Sequence, residues 1–134
     1  QIPTEYLNKM MAFTAGMGET GETYIVGHDK LMRSQSRFTK EQTALKKIVD
    51  SPSVRMGLQG KKNALVTRDY RNIPVISAFA PIDFGGHLWV VVAEMDLAEV
   101  IGNLRTLSII SCALAMLLVV AVSILYKRHA ERHR

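Results

Sequence analysis

The chain has 134 residues, enough for one domain and one membrane span. Its formal net charge is +5 and 48% of its residues are apolar, but both quantities are unevenly spread. Bases gather in the last residues, so the positive balance is weak grounds for a nucleic-acid partner, and none is expected. Cys112 is the single cysteine. That excludes a disulfide framework and a cysteine-based zinc site, so neither a metal nor a cofactor is expected, and the domain must hold together by its apolar core.

Pro3 and Thr4 open an expected helix running to about Phe13. Leu7, Met10 and Met11 fall at i, i+3 and i+4 on one face, and Ala15-Gly16-Met17-Gly18 breaks it. Gly21 to Gly27 reads as a strand, His28-Asp29-Lys30 as a turn, and Leu31-Met32-Arg33-Ser34 as a second strand closing a hairpin. Thr39 to Val49 has a helical pattern. Thr39 can cap it and Gln42 completes a capping box. Ala44, Leu45, Ile48 and Val49 form the stripe to be buried, and Lys40, Glu41, Lys46 and Lys47 form the solvated side. Asp50-Ser51-Pro52 stops this helix, and a shorter helix or turn, Ser53 to Leu58, ends at Gly60.

Three strands follow: Ala64 to Tyr70, Ile73 to Ile82 and His87 to Glu94. Turns at Arg71-Asn72 and Asp83-Phe84-Gly85-Gly86 join them. Pro74 and Pro81 lie near the ends of the middle strand, where proline is tolerated. The near-continuous run Leu88 to Ala93 marks the last strand as central and well covered. Asp96 then caps a helix, with Glu99 at the matching box position. The expected fold is α+β, a PAS-like five-stranded antiparallel sheet with flanking helices, followed by one transmembrane helix.

Residues 107–126, LSIISCALAMLLVVAVSILY, carry no charge, glycine or proline. Twenty helical residues cover about 30 Å, the thickness of a bilayer's hydrocarbon core. A buried core helix is the competing reading, but a domain of roughly 100 residues could hardly surround a helix that is apolar on every face. Tyr126 suits an interfacial anchor. Lys127, Arg128, Arg132 and Arg134 follow the span against Glu131 alone, whereas Glu94, Asp96 and Glu99 precede it with Arg105. Positive charge stays inside. The expected location is the inner (cytoplasmic) membrane, with the domain periplasmic or extracellular and the C-terminus cytoplasmic. The basic tail could also meet lipid headgroups. Ser108, Ser111, Cys112 and Ala115 share one small-residue face suited to helix packing. Gln1 is not an initiator methionine and nothing ahead of the domain would export it, so the expectation is a fragment or processed chain of a longer protein.

Residues 16–38, GMGETGETYIVGHDKLMRSQSRF, resemble the opening of the membrane-proximal half of a Cache domain. Cache domains are the extracytoplasmic sensors of bacterial methyl-accepting chemotaxis proteins, histidine kinases and membrane-bound nucleotide cyclases. The family's Gly-x-Thr-Gly-Glu-Thr-Tyr is matched by Gly18 to Tyr24 and its Met-Arg-Ser by Met32-Arg33-Ser34. Asp69 to Val75 resembles the family's hairpin, and Trp89-Val90 through Glu94-Met95-Asp96 its last strand and exit. The resemblance implies a connecting helix over 1–15, a Cache domain over 16–96, an exit helix over 97–106, the span over 107–126 and a tail over 127–134. It also implies a homodimer, a possible small-molecule ligand, and two parts not present here: the distal sensor half, where the family's amino-acid recognition set usually lies, and a cytoplasmic output module.

No G-x-S-x-G, H-E-x-x-H or P-loop is present, so no enzyme is expected. His28, His87, His129 and His133 are scattered. His129 and His133 stand at i, i+4, but the flanking arginines make a solvated face the simpler reading. Gly18, Gly21 and Gly27 read as turn positions. Arg33, in a cluster with Ser34, Ser36 and Arg37, could fork onto a carboxylate ligand or pair with Asp29. Tyr24, Tyr70, Ser77 and Phe79 could line the sheet face where PAS-like folds hold ligands, or serve as core. Two functions follow: a sensory input module relaying ligand state through the span, or a non-signalling single-pass subunit or scaffold of a membrane complex.

Overall fold

Side-chain alternation decides the strands. In a computed structural model that describes residues 4–11 and 16–132, every second residue of β1 (Glu22–Val26), β3 (Pro74–Phe84) and β4 (His87–Asp96) turns to one face. Tyr24 and Val26, Val75 and Phe79, and Val90 and Val92 are thereby buried together. β2 (Asn63–Arg68) completes a four-stranded antiparallel sheet of order β1-β4-β3-β2. α2 (Pro52–Leu58) packs on the inner face against β2, β3 and β4. It starts where Ser51 accepts the Val54 N–H through its hydroxyl at 3.3 Å, with Pro52 in the first turn. Val54 and Val49 join the same core, each buried valine contributing about 1.5–3 kcal/mol.

The fifth strand does not form. Leu31 and Met32 make only isolated bridges, to Ile48 and Val26. The hairpin turn is present, since the Gly27 N–H donates to Leu31 O at 2.9 Å and the Arg33 N–H to Ile25 O at 2.7 Å. The Ile25 N–H, however, is taken by the Ser34 hydroxyl at 3.2 Å rather than by a backbone carbonyl. A side chain thus ends the ladder.

The helix expected over Thr39 to Val49 is absent too. Only local turns form, one with Thr43 O accepting the Lys46 and Lys47 N–H groups, and other backbone groups bond sideways: the Met32 N–H to Lys47 O, the Leu45 N–H to Met32 O and the Val49 N–H to Lys30 O. Leu45 is left-handed at φ 61°, which no helix accommodates. The Thr43 hydroxyl binds the Ser36 N–H at 2.7 Å and Ser34 O at 3.2 Å. Thr39 accepts from the Glu41 N–H in a local turn. Ala44 and Val49 are buried as the stripe required, but Leu45 and Ile48 are exposed.

α1 covers Thr4–Met11. Its expected end near Phe13 lies outside the described residues, as do the side chains of Leu7 and Met10. α3 runs unbroken over Leu97–Arg132, 36 residues that include Gly102 and the start of the tail. Within Leu97–His129 an 18-residue window has mean hydropathy 2.7 and no burial. This is a candidate membrane-spanning helix by length and composition.

Gly57 brings α2 close to the sheet. A methyl group there would collide with both γ-carbons of Val90. Gly57→Ala is expected to destabilise the fold by about 1–3 kcal/mol through overpacking, outweighing a helix-propensity gain of up to about 1 kcal/mol. Denaturant unfolding of the chain in detergent micelles measures this, and an unchanged midpoint would mean that α2 slides freely on the sheet.

Candidate functional site

Glu22 and Glu94 are direct cross-strand partners between β1 and β4, and Glu94 also faces Ser77 across β3. The inward parity of their strands carries all three into the core, where Glu22 and Glu94 are each 4% exposed and Ser77 is fully buried. α2 supplies Ser53 from above. Its hydroxyl and that of Ser77 are 2.6 Å apart, and Ser77 donates to Glu94 Oε1 at 2.9 Å. Ser53 is thus the donor to Ser77.

A second chain of hydrogen bonds reaches Glu22. The Tyr70 hydroxyl donates to Glu22 Oε2 at 2.6 Å, so Ser36 is the donor in the 2.7 Å contact with Tyr70, and Ser36 itself accepts the Phe38 N–H at 3.1 Å. The Arg37 N–H gives Glu22 a second donor at 2.9 Å. Tyr24 stands edge-on to Tyr70, ring centroids 5.5 Å apart. Its phenol is directed at Glu94 but reaches hydrogen-bonding geometry with nothing, and among the described residues it is the buried side-chain polar atom without a partner. Burial, with the nearby carboxylates second, raises the Tyr24 phenol well above its ordinary value. Burial and the bond to Glu22 raise Tyr70. Burial likewise pushes Glu94 up to about 7, against the lowering effect of Ser77.

Tyr70 also opens the cluster to solvent. With Ser36, Phe38, Thr43, Lys46, Lys47 and Arg71 it lines a half-open cavity of ≈ 480 Å³. Arg71 is a wall and a clamp at once. Its Nε donates to Asp69 Oδ2 at 2.6 Å, its Nη2 donates to Asp96 Oδ1 at 2.7 Å, and its guanidinium lies 4.1 Å over the Phe38 ring. Burial opposes the charge, yet Asp69 and then Asp96 hold the guanidinium above its ordinary value.

The junction with α3 is bound on its other side as well. The capping box expected between Asp96 and Glu99 does not close. The Asp96 N–H donates to Thr20 Oγ1 at 3.1 Å, while Glu99 accepts the Glu19 N–H at 3.0 Å, the Thr20 N–H at 2.9 Å and the Thr20 hydroxyl. Those donors hold the Glu99 carboxyl below the ordinary range, the Thr20 hydroxyl foremost.

Of the residues singled out from sequence, Tyr24, Ser77 and Phe79 share the inner sheet face and Tyr70 reaches it from the β2–β3 turn. Arg33 stands apart: it pairs with Asp29 at 2.8 Å and lies 5.2 Å over the Trp89 ring. Ser108, Ser111, Cys112 and Ala115 are exposed on α3, and the Ser111 hydroxyl donates back to Leu107 O at 2.7 Å. Sequence reasoning missed Glu22, Glu94 and Arg71. Parity could have found the first two, since Glu94 continues the series Val90, Val92 and Glu22 opens the series Tyr24, Val26.

Two solved structures share this architecture. The E. coli DcuS sensor domain superposes with a TM-score of 0.58 at 14% identity, over 73% of this chain and 71% of that one. The periplasmic sensory domain of the Campylobacter jejuni chemoreceptor Tlp1 gives 0.57 at 10% identity, over 72% of this chain and 36% of that one. The fold is therefore of the same PAS-like kind as these two domains. No protein-family model and no curated protein sequence matches the chain. In this PAS-like sheet the buried carboxylates lie on the face that α2 covers.

The raised Glu94 carboxyl has a stability consequence. Between its ordinary value of 4.5 and about 7 the folded state keeps a proton that the unfolded chain releases. Stability therefore falls as pH rises through that window, by on the order of 1–3 kcal/mol. Asp29, Asp50 and Glu99, all lowered, act in the opposite sense at lower pH. Denaturation midpoints measured across the window should decline for the native chain and stay level for Glu94→Gln. Parallel curves would contradict the assignment.

Proposed function

We propose that the chain is a sensory input module of a bacterial transmembrane receptor. Residues 16–96 form the extracytoplasmic Cache domain behind a connecting segment over 1–15. Residues 97–106 are the exit helix, 107–126 cross the inner membrane, and 127–134 lie in the cytoplasm. The observation that carries this reading is the junction: β4 ends at Asp96 and α3 begins at Leu97 with nothing between them. Any change in the sheet position of β4 is a change at the first turn of the spanning helix. Helix shifts of about 1–2 Å suffice for switching. Likeness to two sensor domains supports the same reading.

The cavity beside Tyr70 and Arg71 suits a small organic anion. Lys46 and Lys47, with Arg71 already paired to Asp69 and Asp96, outnumber the one acid of its wall, Glu41, and the hydroxyls of Ser36, Thr43 and Tyr70 offer hydrogen bonds. Tyr24, Ser77 and Phe79 are buried in the sheet and stand outside the wall of this cavity, and Arg33 pairs with Asp29. Ser108, Ser111, Cys112 and Ala115 form the packing face of a homodimer.

Two measurements test this function. With Cys112 replaced by Ala, a membrane-impermeant maleimide applied to intact spheroplasts should label Lys62→Cys and spare Glu131→Cys; the reverse pattern defeats the orientation. In detergent micelles, a panel of small carboxylic acids should include members that raise the melting temperature of the native chain, with the gain reduced in a Lys46→Ala/Lys47→Ala variant. No shift by any acid, or equal shifts in both proteins, would remove the anion site.

A further inference from the structure

The orphan phenol of Tyr24 and the facing carboxylates of Glu22 and Glu94 together require an explanation that the cavity does not supply. Tyr24, Ser77, Glu22 and Glu94 are buried to 95% or more, and none of them lines the cavity beside Tyr70 or the apolar groove on the outer sheet face. The charged and titratable groups around Glu94 come from three elements: Glu22 and Tyr24 on β1, Tyr70 and Asp69 beyond β2, and Asp96 at the end of β4 itself. Ser77 of β3 and Ser53 of α2 add only hydroxyls. The nearby cations are committed elsewhere: Arg71 to Asp69 and Asp96, and the Arg37 guanidinium to Gly21 O and the Phe38 ring. Two like charges one strand apart, without a counter-ion, are strongly disfavoured in a low-dielectric interior.

We propose that the Glu22–Glu94 pair is a proton-binding site on the strand that leads into α3, so that the acidity of the surrounding compartment is itself an input to this module. The proton resides on Glu94. Glu22 accepts from two donors, the Tyr70 hydroxyl and the Arg37 N–H, whereas Glu94 accepts from Ser77 alone. The Tyr24 hydroxyl is the missing donor for the other state. When Glu94 gives up its proton to solvent, the carboxylate gains an acceptor lone pair and the phenol, already aimed at it, closes a hydrogen bond. No bond other than Glu94 O–H is broken, and no co-reactant is needed. Tyr24 and Glu94 lie on neighbouring strands, so this exchange changes the β1–β4 ladder two residues from the Asp96 junction. The inference rests on the sheet interior and is independent of the anion cavity and of the membrane orientation.

The test is a pH titration of the whole chain in lipid nanodiscs, with glutamate side-chain carboxyls labelled with carbon-13 and observed by NMR. One carboxyl signal should titrate at least about one pH unit above the surface glutamates and vanish in Glu94→Gln. Its midpoint should fall in Glu22→Gln, which removes the like charge, and rise in Tyr24→Phe, which removes the waiting donor. The fluorescence of Trp89, the single tryptophan, reports β4 and should change with the same midpoint in the native chain. All glutamates titrating together, or a high midpoint that survives Glu94→Gln, overturns the site. A Trp89 signal that ignores the titration overturns its transmission to β4. Should Glu94→Gln fail to fold, the opposite displacements in Glu22→Gln and Tyr24→Phe decide the matter, and an unmoved midpoint in both overturns the proposal.

Discussion

Strand β4 is the interior strand that joins the sheet to α3. It pairs with β1 on one side and β3 on the other, carries Val90, Val92 and Glu94 into the core, and passes directly into α3. An interior strand has both edges committed to ladder bonds, so it cannot shift without altering two neighbours. β3 is interior as well, but only β4 also leads into a helix. α3 is attached there, and not to an edge strand that could move alone.

The polar groups follow from the same placement. A core of this size would be more stable with apolar residues where Glu22, Glu94, Ser53 and Ser77 stand, since buried carboxylates are expensive even when hydrogen-bonded. Their positions are nevertheless satisfied one by one, through Tyr70, the Arg37 N–H and the serine pair. Tyr24 is left over. A network complete but for one donor leaves that donor's bond still to be made, an option a wholly apolar packing would lack. Arg71 extends the network outward, because the guanidinium that walls the cavity also grips Asp96. One side chain thus joins the cavity wall to the start of α3.

Much of the fold could be read from periodicity. The strands and the short helix before them are set by local alternation and by turn residues, and Asn72 at φ 64° marks the β2–β3 turn that the sequence suggested. What failed was the stretch from Thr39 to Val49. Its apolar spacing suits a helix, but the Thr43 hydroxyl bonds the Ser36 N–H and Ser34 O, and the backbones of Lys30 and Met32 bond Leu45, Lys47 and Val49. Tertiary partners override local propensity there. The same limit hid the site. Glu94 closes an apolar run and Glu22 opens one, which in isolation looks like solvent at a strand end. Only the pairing of β1 with β4, seventy or so residues apart in the chain, turns both toward each other. Asp96 and Glu99 were recognisable as polar residues at a helix start, but their partners, Arg71 and the Glu19–Thr20 backbone, lie in other parts of the chain.

The antiparallel match of Glu22 with Glu94 has a mechanical corollary. The chain enters β1 and leaves β4 at the same end of the sheet, and Thr20 ties the entering loop to the first turn of the departing helix. A force that separates the entering segment from the departing helix would load the β1–β4 bonds one after another from that end, as in peeling, instead of all together, as in shear. Peeling begins at the Glu22–Glu94 rung. The first bonds to yield under tension thus frame the buried carboxylates, and water would reach them before the apolar core opened.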